Sequence, residues 1–212
     1  MDSSKSRSLS LSQDIHFKIV VLGTAGAGKS SITIRFTKNI FPEEYIPTLL
    51  DTHRTTQMID DQLSSLEIVD TAGMEHYQSM LDLWINDGNG FILVYSVADQ
   101  ETLNELRLIY EKIRNLHSGN IKPPVFIVGN KIDLQQDQKQ ISEQMGIDFI
   151  SSLNGQNCHH ILTSAKYGTN VNQLFQQIVR EMRQNREHIK KQNKKQGNKK
   201  KKKKKWWQCN LI

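Results

Sequence analysis

The strongest constraint on the fold comes from one short glycine-rich segment near the start of the chain. Residues 23–30 read Gly-Thr-Ala-Gly-Ala-Gly-Lys-Ser, which matches the pattern G-x-x-x-x-G-K-[ST]. A largely apolar run over residues 17–21 precedes it and predicts a buried strand, whereas Ile32, Ile34 and Phe36 follow it and predict a helix. Glycines allow the backbone to wrap around an anion, and a helix N-terminus adds positive potential. The segment therefore predicts a phosphate-binding loop rather than an ordinary glycine-rich turn.

Strand and helix patterns alternate along the rest of the chain. Two strand-like stretches, at about residues 52–58 and 63–69, flank Asp60 and Asp61 and predict a hairpin. Further buried runs cover residues 91–95, 125–128 and 161–162. A helix is predicted to open within residues 141–145, and two apolar stripes at helical spacing comprise Leu103, Leu106, Ile109, Tyr110 and Ile113, and Val171, Leu174, Phe175, Ile178, Val179 and Met182. This alternation predicts an α/β fold with a mostly parallel sheet covered by helices on both faces.

The charge is distributed very unevenly between the predicted domain and the end of the chain. Residues 186–212 carry a net charge of +11, whereas residues 1–185 carry about −5, so the overall charge of +6 arises from the tail. The helical periodicity stops after about Gln184, and a block of like charges cannot bury itself. We therefore predict a disordered arm over residues 1–14, a folded domain over residues 15–185 and a polybasic tail over residues 186–212, in which the lysine block over residues 199–205 should be disordered.

Cysteine content and hydropathy restrict the cellular setting. The chain has only two cysteines, Cys158 and Cys209, which is too few for a disulfide framework and favours a reducing compartment. No stretch approaches the roughly 20 apolar residues that span a bilayer, and residues 1–12 lack the apolar core of a signal peptide. We expect an intracellular protein whose contact with membranes is peripheral. Cys158 precedes His159 and His160, and we interpret this trio as part of an ordinary loop rather than as a metal site.

A second motif is typical of a metal-dependent phosphate site. Residues 68–73 read Ile-Val-Asp-Thr-Ala-Gly, a strand that ends in Asp70 about forty residues after the glycine-rich loop. Mg²⁺ prefers carboxylate oxygen and ordered water as ligands. Asp70 is therefore expected to contact Mg²⁺ directly or through water, and Gly73 permits its N–H group to approach a terminal phosphate.

Two further motifs indicate which base is bound. Residues 130–133 read Asn-Lys-Ile-Asp after a buried run, and residues 163–166 read Thr-Ser-Ala-Lys after the last predicted strand. The Asp133 carboxylate can accept two hydrogen bonds from adjacent donors, which guanine offers through N1–H and its 2-amino group and adenine does not. The Lys131 stem can cover the ring, and a backbone N–H of the second motif can reach the guanine O6. Together they predict a guanine pocket.

Taken together, the motifs GTAGAGKS, Thr48, DTAG, NKID and TSAK resemble those of the Ras superfamily of small GTPases, and most closely its Ras/Rap branch. The likeness extends from about His16 to Gln184. It implies a P-loop NTPase fold with a six-stranded sheet and five helices, a switch I loop at about residues 41–52 and a switch II loop at about residues 70–80. It also implies a monomer that binds GTP or GDP with Mg²⁺ and is regulated by exchange factors, GTPase-activating proteins and effectors. A metabolic kinase with the same loop would need an acceptor pocket and a lid, for which the chain has no spare residues.

The resemblance assigns roles to individual residues. Those expected to contact the nucleotide are Gly23, Thr24, Ala25, Gly26, Ala27, Gly28, Lys29, Ser30, Ser31, Phe41, Tyr45, Pro47, Thr48, Asp70, Gly73, Asn130, Lys131, Asp133, Ser164, Ala165 and Lys166. Mg²⁺ is expected at Ser30, Thr48 and, through water, Asp70. Lys29, Thr48, Gly73 and the position of Met74 are the expected catalytic positions. Phe41 is expected to pack on the guanine, although core packing is its alternative role.

The chain departs from the family pattern at positions that affect hydrolysis and partner binding. Met74 replaces the usual Gln that orients the attacking water, and a thioether cannot donate a hydrogen bond. Ala25 replaces the usual Gly, and its methyl group can crowd an arginine supplied by an activating protein. We therefore hypothesise slow hydrolysis, with a GTP-bound adaptor that is not a working enzyme as the alternative. Leu50 and His53 replace an acidic and an aromatic residue, so binding to standard Ras effectors is also in question.

The C-terminal residues predict a lipid anchor. The chain ends in Cys-Asn-Leu-Ile, which fits a prenylation signal with Cys209 as the acceptor, and a run of seven lysines covers residues 199–205. One prenyl chain binds weakly, so the lysines would supply a second signal at an anionic membrane. Trp206 and Trp207 suit the interface. We expect attachment to the cytoplasmic face of the plasma membrane. The alternatives are a nuclear-localisation signal and a nucleic-acid patch, although no base-reading module accompanies the lysines.

Overall fold

A six-stranded sheet forms the centre of the computed structural model, which describes residues 15–44, 48–73, 78–119, 121–155 and 157–209. The strands are β1 (Ile15–Leu22), β2 (Leu50–Ile59), β3 (Gln62–Thr71), β4 (Gly90–Ser96), β5 (Val125–Asn130) and β6 (Cys158–Leu162). Their order is β2-β3-β1-β4-β5-β6, and every neighbouring pair is parallel except β2 and β3, which form an antiparallel hairpin. The predicted mostly parallel sheet is thus confirmed.

The described residues form five α-helices, of which the first four connect strands and the fifth follows β6. They are α1 (Lys29–Lys38), α2 (Gln78–Asp87), α3 (Gln100–Leu116), α4 (Glu143–Leu153) and α5 (Val171–Cys209). Side-chain caps fix two of the starts, because Asp99 accepts from the Glu101 N–H before α3 and Ser142 accepts from the Met145 N–H before α4. The helix predicted to open within residues 141–145 is confirmed with its start at Glu143, and buried Ile141 before it donates its N–H to the Val97 carbonyl at 3.0 Å.

Apolar side chains pack against both faces of the sheet, as predicted. On one face the stripe of α5 is buried against β1, β3, β4 and β5, and Phe36 of α1 stacks on Phe175 with ring centroids 3.9 Å apart. On the other face the stripe of α3 is buried together with residues of α2 and α4. Full burial of one large apolar side chain stabilises a fold by roughly 1.5–3 kcal/mol, so the two layers hold the sheet from both sides.

Two arginines attach α5 to the β2–β3 hairpin. Arg180 donates to both carboxylate oxygens of Asp60 at 2.7 Å, and Arg183 donates to the Ile59 and Gln62 carbonyls and to Ser64 Oγ at 2.7–2.9 Å. These hydrogen bonds therefore fix the turn of the hairpin to α5.

The predicted disorder of the lysine block over residues 199–205 is wrong, since α5 continues past Gln184 to Cys209 without a break. Lysine and glutamine are good helix formers, the segment has no proline, and extending an existing helix avoids the unfavourable nucleation step. The boundary between residues 185 and 186 remains a prediction, and residues 1–14 and 210–212 lie outside the described residues. No helix among the described residues is long and apolar enough to cross a bilayer.

Candidate nucleotide site

The glycine-rich loop connects β1 to α1, and two of its glycines are required by close backbone contacts. Gly23 has φ +139°, and a Cβ atom there would lie 2.2 Å from the Val94 carbonyl oxygen. Gly28 has φ +95° and caps α1, where a Cβ atom would lie 2.2 Å from the Asn130 side-chain nitrogen. A larger residue at either position would therefore displace the loop from β4 or β5.

Lys29 is the first residue of α1, and its side chain folds over the loop. The residue is 6% exposed, and its Nζ donates to the Gly23 carbonyl at 2.9 Å and to the Thr24 carbonyl at 2.7 Å. The ammonium group is thus held at the centre of the loop. Ala25 and Gly26 are exposed at the tip, whereas Ala27 is buried beneath it.

Three oxygen-bearing side chains from different elements form the candidate metal site. Ser30 Oγ of α1 lies 2.8 Å from Thr48 Oγ1, which precedes β2. Asp70, at the end of β3, is 1% exposed, and its Oδ1 is buried without a hydrogen bond to the described residues. Burial raises the pKa of Asp70 to about 6, while Ser30 and then the Lys29 charge act in the opposite direction.

These residues fit Mg²⁺. The ion accepts hydroxyl and carboxylate oxygens, and it tends to keep several water ligands. The buried Asp70 oxygen needs a positively charged or hydrogen-bonding partner, because leaving it without one costs free energy. Clusters of three or more His, Cys, Asp or Glu residues suited to a metal are absent from the described part of the chain.

Asn130, at the end of β5, connects the phosphate loop to the two base motifs. Its Nδ2 donates to the Ala27 carbonyl at 3.2 Å, and its Oδ1 accepts from the Ala165 N–H at 3.2 Å and from Thr163 Oγ1 at 3.3 Å. The residue is only 1% exposed. In the structure Asn130 therefore holds together the loops of both halves of the cleft.

The Asp133 carboxylate is oriented by the second base motif. Ser164 Oγ donates to Asp133 Oδ1 at 2.6 Å and accepts from the Tyr167 N–H at 3.1 Å. Lys131 adopts a left-handed conformation with φ +70°. The Ile132 N–H donates to the Thr163 carbonyl at 3.2 Å. The two motifs thus form one unit, in which Ser164 holds the Asp133 carboxylate.

Arg35 supports this unit and was not identified from the sequence. Its Nε donates to the Ala165 carbonyl at 2.8 Å, and its guanidinium group also donates to the carbonyls of Lys166 and Asn39. These contacts attach the last turn of α1 to the loop after β6. Because the partners are about 130 residues apart in the chain, no local pattern could have indicated them.

Some residues that are expected to contact the nucleotide lie away from the loops described above, and others lie outside the described residues. Phe41, in the loop after α1, is 39% exposed, whereas Ser31 in the first turn of α1 and Gly73 after β3 are partly buried. The Ala72 N–H donates to the Leu49 carbonyl at 3.1 Å, which connects the two expected switch loops. The expected contacts that lie outside the described residues are Tyr45, Pro47 and Met74.

Comparison with known proteins identifies the family. The Ras family model matches residues 18–184, which is most of the chain. The chain is also 40% identical over 167 residues to Ras-like protein 1 of Saccharomyces cerevisiae, a match that covers 79% of this chain and 52% of the yeast protein. The chain therefore spans about half the length of this relative. Together with the α/β fold and the assembled loop motifs, these findings show that the chain belongs to the Ras family of small GTPases.

Proposed function

We propose that this protein is a molecular switch that binds GTP or GDP with Mg²⁺ and acts as a monomer in signal transduction. The observation that carries the proposal is the convergence of a phosphate loop, a set of metal-binding oxygens and a guanine-reading carboxylate at one edge of the sheet. Ser30, Thr48 and Asp70 contribute the oxygens, and Asp133 contributes the carboxylate. Ligands of open α/β sheets bind at this carboxyl-terminal edge.

The roles of the residues follow from their chemistry. Lys29 would bind the β- and γ-phosphates, while Ser30, Thr48 and Asp70 would hold the Mg²⁺ ion, which neutralises phosphate charge when bound. Asp133 would accept hydrogen bonds from guanine N1–H and the 2-amino group, which adenine lacks. Thr48 and Gly73 belong to loops that connect to β2 and α2, so contacts that depend on the γ-phosphate would order both loops and release them after hydrolysis.

Nucleotide identity tests this proposal directly. We expect the purified full chain to release GDP or GTP on denaturation and, after exchange in EDTA, to bind guanine nucleotides at least 10³-fold more tightly than ATP. Asp133→Asn should abolish most of this preference, whereas Asp137→Asn, in the short 3-10 turn Gln136–Gln138, should preserve it. Equal binding of ATP and GTP by the wild-type chain would refute the proposal.

Hydrolysis by this protein is proposed to be slow. Ala25 is exposed at the tip of the phosphate loop, where its methyl group can obstruct an arginine from an activating protein. Met74 can neither donate a hydrogen bond to water nor accept one strongly. Both substitutions reduce contributions to the transition state, and an arginine from an activating protein is worth roughly 10³–10⁵ in rate.

The same two positions favour a second candidate, a GTP-bound adaptor that does not hydrolyse GTP at a useful rate. Single-turnover hydrolysis with and without an activating protein separates the candidates, and an Ala25→Gly, Met74→Gln double variant serves as the matched comparison. A slow switch should be accelerated by its activating protein in the wild-type form. If the protein is an adaptor, the activating protein should accelerate hydrolysis by the double variant and not by the wild type. An ordinary Ras-like basal rate in the wild type would refute the hypothesis of slow hydrolysis.

We also propose that the tail attaches the protein to the cytoplasmic face of the plasma membrane. Residues 199–205 supply seven lysines immediately before Trp206, Trp207 and the prenylation acceptor Cys209. Each lysine near an anionic leaflet contributes roughly 1 kcal/mol, which adds to the weak affinity of one prenyl chain. In this arrangement no nucleic-acid partner is needed to explain the lysines. Exchange factors, activating proteins and effectors would bind at the two switch loops.

A further inference from the structure

One edge of the sheet, far from the expected switch loops, is open to a further strand. β6 is the last strand in the order, and among the described strands it pairs only with β5. The Val125 N–H donates to the Asn157 carbonyl at 3.0 Å, and the Thr163 N–H donates to the Gly129 carbonyl at 2.8 Å. Backbone groups of a strand alternate between its two sides, so the intervening odd-numbered residues face β5. The N–H and C=O groups of Cys158 and His160 therefore point outward, where no neighbouring strand lies.

A groove runs along this open edge between α4 and α5. It has a volume of about 790 Å³, with Ile147 and Ile150 of α4 on one side and Gln177, Glu181 and Gln184 of α5 on the other. Ile147 is 42% exposed, although it is apolar. Adjacent strands need only about 4.8 Å of separation. Because a helix flanks β6 on each face, the groove suits one extended chain better than the edge of a second copy, whose own helices would collide with these.

The α5 side of the groove contains polar atoms that lack hydrogen bonds. His159 stacks on Phe126 with ring centroids 4.8 Å apart, and its Nε2 lies 2.8 Å from Glu181 Oε1 as an ion pair when His159 is protonated. Neither His159 Nε2 nor Glu181 Oε2 forms a hydrogen bond with the described residues, although both atoms are buried. Arg180 is occupied by Asp60. The Glu181 side chain is still 21% exposed to the groove, so a cationic side chain of a ligand can pair with its carboxylate.

We propose that this groove binds an extended peptide of a partner protein, which adds to β6 as a seventh strand. Successive side chains of a strand point to opposite faces, so the peptide would place an apolar residue against Ile147 and Ile150 and a neighbouring Lys or Arg against Glu181. The recognised chemistry is thus an alternating apolar and basic segment, held by main-chain hydrogen bonds. β2 and β3, which adjoin the expected switch loops in the sequence, lie at the opposite side of the sheet from β6. This site would therefore bind in both the GDP and the GTP states.

Peptide selection followed by amide exchange tests the proposal. A random 12-residue phage-displayed library is selected on the full GDP-bound chain, and enriched peptides are synthesised for affinity measurement and for NMR hydrogen exchange. We expect the outward amides of Cys158 and His160 to exchange fast in the free protein and at least tenfold more slowly with bound peptide. The amides of His159 and Ile161, which already face β5, should be slow in both states.

Variants show which side chains recognise the peptide. Glu181→Gln and Ile147→Lys should each weaken binding by about tenfold or more, whereas Leu108→Lys, at an exposed position of α3, should not change it. All three variants should keep their GDP, which verifies folding. Failure to enrich any alternating apolar and basic peptide would overturn the proposal, as would binding without protection of the outward amides. Concentration-dependent dimerisation that protects the same amides would show instead that a second copy is the occupant.

Discussion

The Asp70 carboxyl group is almost completely buried at the end of β3, and its Oδ1 has no hydrogen-bonding partner among the described residues. Burial raises its pKa to about 6, compared with 3.8 for an exposed aspartate. Between these values the folded chain without Mg²⁺ binds a proton that the unfolded chain has already released. Ionised Asp70 therefore destabilises the metal-free fold, and this loss develops as the pH rises from about 4 to about 6.

Asp70→Asn should accordingly stabilise the nucleotide-free protein in EDTA while it weakens Mg²⁺-dependent GTP binding. We expect an increase of roughly 2–3 kcal/mol in the free energy of unfolding at pH 7.5, and this increase should shrink toward zero as the pH approaches 4. Urea unfolding across this range measures it. Asp137→Asn, at an exposed position in the short 3-10 turn Gln136–Gln138, is the control. A gain that does not vary with pH would contradict the assignment.

Ser164 is the residue that fixes Asp133 in place, through a 2.6 Å hydrogen bond. Ser164→Ala should weaken GTP and GDP binding equally, by about tenfold or more, because one hydrogen bond to a charged group contributes roughly 1.5 kcal/mol or more. Competition titration with fluorescent GDP measures both affinities. Ser152→Ala on α4 removes a comparable hydroxyl outside the cleft and should have no effect. A variant with wild-type affinity would mean that Asp133 needs no such support.

The site residues that could be predicted from the sequence are those that belong to short motifs of consecutive residues. The loop over residues 23–30 and the Asp133 and Ser164 motifs are indicated by spacing alone, and the structure brings them to one edge of the sheet. Arg35 and Arg183 could not be predicted in this way. Their acceptors are backbone carbonyls distant in the chain, which have no sequence signature.

At the scale of elements, α4 packs closely over the histidines of β6. A Cβ atom at Gly146 would lie 2.3 Å from His160 Nε2, which itself lies 2.9 Å from the Tyr95 hydroxyl oxygen. Burial lowers the pKa of His160 below 6.5, while the charge of Glu143 acts in the opposite direction. The packing of α4 on β6 and the hydrogen bond between His160 and Tyr95 are therefore favoured when His160 is neutral.

This packing predicts a specific loss of stability in acid. The unfolded chain protonates His160 at a higher pH than the folded chain, so its contribution is complete above about pH 6.5 and is lost as the pH falls below that value. His160→Gln should cost about 1 kcal/mol at pH 7.5, and the difference from wild type should narrow by pH 5. Urea unfolding at several pH values tests this, with exposed His188→Gln as the control. Parallel curves for wild type and His160→Gln would contradict it.

The end of α5 shows what the sequence could not predict at this scale. The apolar stripe up to Met182 predicts the packed part of the helix, and that part is confirmed. Its continuation to Cys209 carries no apolar periodicity. There, the helix propensity of lysine and glutamine and the absence of proline favour the helix despite Gly197, whereas the run of like charges alone suggested disorder.

At the scale of the whole molecule, a domain with a net charge of about −5 precedes a segment with a net charge of +11. Removal of residues after 189 should leave the unfolding transition and GDP affinity unchanged, because the packed apolar stripe of α5 ends at Met182. The same truncation should abolish binding to vesicles that contain anionic lipid. Thermal unfolding, nucleotide titration and vesicle sedimentation measure these three properties.

Two variants separate the lipid from the charge. Cys209→Ser should release most of the protein from cell membranes, and replacement of residues 199–205 by glutamine should weaken vesicle binding by at least tenfold at low salt. The lysine-dependent part should decline as salt is added. Full retention of Cys209→Ser at the membrane would refute the lipid anchor, and salt-independent binding would refute the role of the lysines.

The position of Asn130 affects how bound nucleotide would be released from the protein. One amide group joins the floor of the phosphate loop, through Ala27, to the loop beside the base, through Ala165. A partner that displaces either loop therefore strains the other through this shared side chain. Neither of these two hydrogen bonds involves the γ-phosphate, so weakening them should speed the release of GDP and GTP alike. The nucleotide that binds next would then be the one present at the higher concentration.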